Sequence, residues 1–166
     1  MKKFNFSLMA VLFALFSTMA LTACSSDDDD DIPSEEEIKT NIIGTWQSIH
    51  QSGYGYDDED EDEDVIKVDK DLTESESARI VFKSDGTCKQ YYYDEHSGTW
   101  KPEGGSSKEY YNISGNKLTI SAYYGNSDPE QTVYSILSLK KNKLIVQYTL
   151  EEGDKYKGTL TCKRVE

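Results

Sequence analysis

Beyond residue 78 the chain cannot stay in one regular element for long, because Gly, Asn or Asp interrupts it every 8 to 12 residues. Between the interruptions lie "ARIVFK", "TCKQYYYD", "EYYNI", "KLTISAYY", "QTVYSILSL", "KLIVQYTL" and "KYKGTLTCKRV", rich in β-branched and aromatic side chains. The connections "SDG", "SGN", "GNSDPE", "KKN" and "EEGD" carry residues that take up tight-turn backbone without strain. No stretch after residue 41 repeats its apolar positions with a helical period over ten residues. The pattern predicts an all-β fold of about eight strands, a small antiparallel up-and-down β-barrel, since closure removes the two exposed edges of a meander. Such a barrel has an interior that side chains just fill, or that holds one small ligand.

The first strand is expected at "IIGTWQSIHQ", with Ile43, Thr45, Gln47 and Ile49 alternating against Gly44, Trp46, Ser48 and His50. Between it and "ARIVFK", residues 53–78 read as a long solvated loop. It contains the eight consecutive acids "DDEDEDED" at 57–64 and one apolar patch at Val65, Ile66 and Val68. The acid run has no internal Gly, unlike specific calcium loops, so no metal site is assigned to it.

The N-terminus has a different logic. Lys2 and Lys3, an apolar run from about Leu8 to Leu21, and small residues before Cys24 make up the three parts of a secretory signal over residues 1–23. The run is shorter than the roughly 20 apolar residues of a membrane span. Residues 24–40 read as a tether, polar and acidic, with one helical turn at "SEEEIK", where Ser34 caps and Glu37 follows three residues on. The domain proper is expected over residues 41–166.

Charge narrows the function classes. Without residues 1–23 the chain carries 16 basic and 31 acidic side chains, and 13 of the acids lie in the two runs 27–31 and 57–64. Nucleic-acid binding needs clustered Lys and Arg, so DNA and RNA are excluded as partners. Enzymatic chemistry is poorly supplied. His50 and His96 are the two histidines, neither with a second ligand at metal spacing, and no serine sits in a G-x-S-x-G context. No enzyme activity and no cofactor are expected.

Two resemblances add to this reading. "LTAC" followed by "SSDDDDD" resembles the lipobox and Ser-Asp-rich export signal of Bacteroidetes surface lipoproteins. The resemblance implies acylation of Cys24, anchoring in the outer membrane and exposure at the cell surface. Each buried methylene of an acyl chain contributes about 0.8 kcal/mol, so two or three chains hold a protein on a membrane almost permanently. Further on, "GTW" (44–46), "FKSDGT" (82–87), "SGTWK" (97–101), "ISGNKLTI" (113–120) and "YSILSLKKNKLIVQYT" (134–149) together resemble the lipocalin-like domain of Bacteroidetes lipoproteins. That likeness implies a barrel closed at one end by Trp46. Arg164 is the candidate for the basic residue that packs over this indole in lipocalins; the alternative is an ordinary surface arginine.

The resemblance carries no particular activity; from the barrel itself, binding of a small hydrophobic ligand or of a partner is expected. The interior pocket is expected to be lined by Trp46, Tyr92, Leu118, Ile120, Leu144, Val146 and Leu160. A structural or interaction module is the other reading: a filled barrel that presents its tyrosines and acidic surfaces to a protein or glycan. Exposed, contiguous rings around 91–93 and 123–124 would favour it. Cys88 and Cys162 share faces with inward residues, and in an oxidising envelope they either bridge or remain two buried thiols.

Overall fold

The computed structural model describes residues 32–56, 65–105, 107–125, 127–150 and 156–166. The readings placed on the signal segment, on Cys24 and on the acid runs 27–31 and 57–64 lie outside the described residues.

Ten strands form one antiparallel sheet: β1 (Gly44–Tyr56), β2 (Val65–Asp71), β3 (Ala78–Phe82), β4 (Thr87–Asp94), β5 (Thr99–Pro102), β6 (Lys108–Ser114), β7 (Lys117–Tyr123), β8 (Glu130–Lys140), β9 (Lys143–Thr149) and β10 (Lys157–Val165). Eight of them close a barrel in the order β1-β3-β4-β6-β7-β8-β9-β10, with β10 returning to pair with β1 from Thr45↔Val165 to Gly53↔Gly158. Alternation along each strand sends Leu118 and Ile120, Leu144 and Val146, and Leu160 and Cys162 inward.

β2 and β5 stand outside this ring. The first half of β1 pairs with β3, from Gly44↔Phe82 to Gln47↔Arg79, whereas its second half pairs with β2, from His50↔Asp71 to Tyr56↔Val65. Likewise β4 pairs with β6 only at Thr87↔Tyr110 and Cys88↔Glu109, and with β5 from Tyr91 to Asp94. The barrel thus carries two hairpin extensions at one end. Residues 53–78 are therefore not one long loop. β1 runs on to Tyr56, and the Val65, Ile66, Val68 patch is the strand that pairs with it, its β-branched side chains suiting a sheet position.

Two bulges interrupt the alternation, between Ser48 and His50 in β1 and between Ile136 and Ser138 in β8. An extra residue reverses which side chains face inward beyond it. Trp46 and Ser48 face the interior below the β1 bulge and Gln51 and Gly55 face it above, while His50 lies against Asp69 and Asp71 of β2.

The opposite end is closed by α1 (Glu35–Asn41), a helix placed by the sequence in the tether. Ser34 and Glu37 form the expected capping box, with Glu35, Glu36 and Glu37 in the first turn and Lys39 in the last, matching the helix dipole. Its Ile38, with Ile42 just beyond, is fully buried in the barrel core, and the Gly115 amide donates to Glu35 Oε2 at 2.6 Å. The folded domain accordingly begins near residue 34, several residues before the expected boundary at 41.

Candidate functional site

The closed end is built around Trp46, which is fully buried and donates from Nε1 to the Ile42 carbonyl at 2.7 Å. The Arg164 guanidinium lies 4.3 Å from the ring centroid. It also donates to three backbone carbonyls: Lys141 at 2.8 Å, Ile43 at 2.6 Å, and Asn41. Arg164 thus ties the end of β10 to the β8–β9 turn and to the chain entering β1. Gly44 makes room for this arrangement: its φ is +133°, and a Cβ there would collide with the Arg164 Nη1.

Above this floor the described residues line a lower and an upper chamber. The lower is a cavity of about 80 Å³, lined by Trp46, Leu118, Ile120, Leu144, Val146 and Leu160 together with Ile80, Phe82, Gln90 and Tyr134. The upper, about 400 Å³, is bounded by Gln51 and Gly55 of β1, by Leu72 and Glu76, by Thr132 of β8 and by Tyr148 of β9. Ser48, Ala78, Tyr134 and Leu160 line both, so the chambers meet. The upper one is within the size range of small-molecule sites, and its lining mixes hydroxyls and an amide with apolar surface.

Tyr148 shapes the mouth. Its ring lies across Gly158, where a Cβ would collide with Tyr148 Cζ and with the Tyr54 carbonyl. Its hydroxyl donates to the Tyr54 carbonyl at 2.9 Å and accepts from Gln51 Nε2 at 2.6 Å, bracing β9 against β1 across β10. Glu76 at the rim is neutralised locally: the Thr73 amide, Lys70 and the Thr73 hydroxyl hold its carboxyl down at about 2.

Of the seven residues expected in the pocket, Tyr92 alone is not among those lining a chamber, and it is 49 % exposed. It keeps the parity of Cys88 and Gln90. However, it sits where β4 has left β6 and pairs with β5, opposite Lys101, so no barrel wall faces it. Cys88 and Cys162 are free, buried thiols. β1 and β3 stand between their strands in the wall, at about 4.8 Å per step, whereas a disulfide needs Cα atoms within about 7 Å. Burial pushes both thiols up to about 12.

Where β4 parts from β6, a side chain replaces the missing ladder. Glu109, 5 % exposed, accepts from the Gln90 amide at 2.9 Å and from Lys89 Nζ at 2.6 Å; Lys89 also donates to the Glu103 carbonyl at 2.8 Å. On the outer wall Arg79 donates to Gln47 Oε1 and lies 4.1 Å from the Trp100 ring. Neither feature was read from the sequence. A charged residue on each of two strands gives no local signal that they meet. Among the described residues no group of three or more His, Cys, Asp or Glu side chains is arranged to hold a metal ion.

The fold and its interior can now be set beside known proteins. The family model described as a lipocalin-like domain matches residues 42–146. The chain belongs to this lipocalin-like domain family. Among solved structures, this lipocalin-like chain is similar to a lipocalin-like protein from Bacteroides uniformis (13 % identity, TM-score 0.45, covering 75 % of this chain and 99 % of that one). It is also similar to an uncharacterized protein from Bacteroides eggerthii (18 % identity, TM-score 0.45, 74 % and 98 %). A third likeness is to a biogenic amine-binding protein (12 % identity, TM-score 0.39, 75 % and 64 %). None of the curated proteins matches the chain. The family match ends inside β9, short of the strand that brings Arg164 to Trp46.

Proposed function

We propose that this chain is a lipid-anchored outer-membrane lipoprotein, displayed at the cell surface through Cys24, whose barrel binds a small amphipathic molecule. The observation that carries the binding reading is the upper chamber of about 400 Å³ standing open above an apolar floor. A ligand seated there buries its apolar part against Leu160, Leu72 and Ala78 and meets hydroxyl and amide groups of Gln51, Thr132 and Tyr134 at the walls. The lower cavity, at about 80 Å³, takes only a few heavy atoms, so binding centres on the mouth half of the barrel.

Native mass spectrometry of the protein purified from its own host tests this: a retained small molecule is expected, and a mass equal to the lipidated polypeptide alone counts against it. For the anchor, Cys24→Ala should move the protein from the membrane to the soluble fraction. A variant that stayed with the outer membrane would overturn the lipidation reading.

A second reading has its own observation. Tyr110, Tyr123 and Tyr124 are exposed, and Tyr110 and Tyr123 meet edge to face at 5.7 Å on the outer wall. Such a surface suits a protein or glycan partner, because tyrosine offers apolar area together with a polar tip. Loss of partner capture from host envelope extract on Tyr110→Ser and Tyr123→Ser substitution, with the barrel still folded, would favour it.

A further inference from the structure

The interior holds two polar side chains whose hydrogen-bonding capacity the protein leaves unused. Tyr134 of β8 lines both chambers, and among the described residues its hydroxyl makes no hydrogen bond. Gln90 of β4 lines the lower chamber; its backbone amide donates to Glu109, but its side-chain amide has no hydrogen-bond partner among the described residues. The Ser48 and Arg79 side chains of the lower chamber are committed. The Ser48 hydroxyl accepts from the Ala78 amide at 2.8 Å, and the Arg79 guanidinium is held by Gln47 and Trp100. Neither group is sealed from the chamber space, so each is open to a hydrogen bond from whatever enters it.

The same lining excludes charge. The ionisable residues lining the two chambers are Arg79, Glu76, Cys162, Tyr134 and Tyr148. Arg79 is occupied outside, Glu76 is neutralised by Lys70 and Thr73, and the Cys162 thiol is buried. A carboxylate inserted there would find the Arg79 guanidinium turned to Gln47 and Trp100, and burial of an unpaired charge is far more costly than burial of a neutral dipole.

We propose that Tyr134 and Gln90 are the specificity-determining pair of the barrel, selecting an uncharged ligand whose carbonyl, carboxamide or hydroxyl head points down to them while its apolar ring body fills the upper chamber. The proposal rests on the ligand-binding reading above. The Tyr134 hydroxyl and the Gln90 amide each both donate and accept, so each can pair with a carboxamide. A carboxylate only accepts and brings an uncompensated charge. The pair therefore discriminates by chemistry at one end of the ligand, whatever the body.

Three matched probes test this by calorimetry on the full chain at neutral pH: indole-3-carboxamide, indole-3-carboxylate and 3-methylindole. The carboxamide is expected to bind at least 10-fold more tightly than the carboxylate. Tyr134→Phe and Gln90→Leu should each lower carboxamide affinity about 5-fold while leaving 3-methylindole within 2-fold, because only the head group loses its partner. If the carboxylate binds as tightly as the carboxamide, the proposal is wrong, and no variant is needed to show it. If both substitutions leave the ratio of carboxamide to 3-methylindole affinity unchanged, the pair is not the selector, though the barrel still binds. If none of the three binds the folded wild-type chain, the ligand-binding reading falls and the pair's role falls with it.

Discussion

Arg164→Ala is the perturbation whose cost can be worked most directly from the structure. The guanidinium makes a cation–π contact with Trp46, worth about 1–2 kcal/mol at a partly buried site, and three hydrogen bonds to backbone carbonyls, worth about 1 kcal/mol each. Release of the long side chain returns about 2 kcal/mol of rotamer entropy. The net expected loss is about 2–3 kcal/mol. For a domain of this size that lowers the melting temperature by roughly 8–12 °C. Arg164→Lys retains the charge, but its single ammonium cannot reach three carbonyls set around a planar fork, so about half the loss is expected. Urea unfolding followed by tryptophan fluorescence, with thermal melts by circular dichroism, measures both. An Arg164→Ala protein within 0.5 kcal/mol of wild type would refute the closure argument, since Arg164 would then be the ordinary surface arginine of the alternative reading.

The remaining predictions concern other parts of the barrel. Cys88 and Cys162, with thiols at about 12, should resist alkylation at pH 8 in the folded state and react promptly in denaturant; fast labelling of native Cys24→Ser protein would contradict their burial. Gly158→Ala should displace Tyr148 from its seat and cost about 2 kcal/mol, whereas Tyr148→Phe, which leaves the seat intact, should cost about 1 kcal/mol in urea titrations. Glu109→Gln should destabilise by about 2–4 kcal/mol, because the half-buried Lys89 ammonium loses its counter-charge. Asp94 is held at about 2 by Lys101 and the Ser97 hydroxyl, and Glu76 at about 2 by Thr73 and Lys70. Both carboxyls lie below their unfolded values of roughly 4, so the stability they add is complete above about pH 5 and lost as pH falls from about 4 through 2. A flat unfolding midpoint across that window would remove both from the account.

Much of the barrel was legible in the sequence because strand and turn signals are local. β-Branched and aromatic runs, Gly86 and Gly115 in their turns, and the inward parity of Leu118, Ile120, Leu144, Val146 and Leu160 all follow from neighbours along the chain. The capping box of α1 was visible for the same reason, although its place in the core was not. "SEEEIK" offers one apolar residue, and nothing in that run says that a barrel end waits to bury it.

What the tertiary structure decided begins where alternation stops being a reliable guide. The bulge after Ser48 turns Gln51 inward and sends His50 to Asp69 and Asp71, an outcome set by closure of β1 against β10. The change of partner along β4, from β6 to β5, leaves Tyr92 facing no wall and makes Glu109 serve in place of ladder hydrogen bonds. The same closure places β1 and β3 between Cys88 and Cys162, and brings Tyr134 and Gln90 from distant strands to one cavity. By itself the sequence determined most of the barrel strands and marked Trp46 for its closed end, since each is written in a short contiguous stretch. The bulges, the partner changes and the shape of the chambers arise from long-range pairing, in which each residue's face depends on strands far away in the chain.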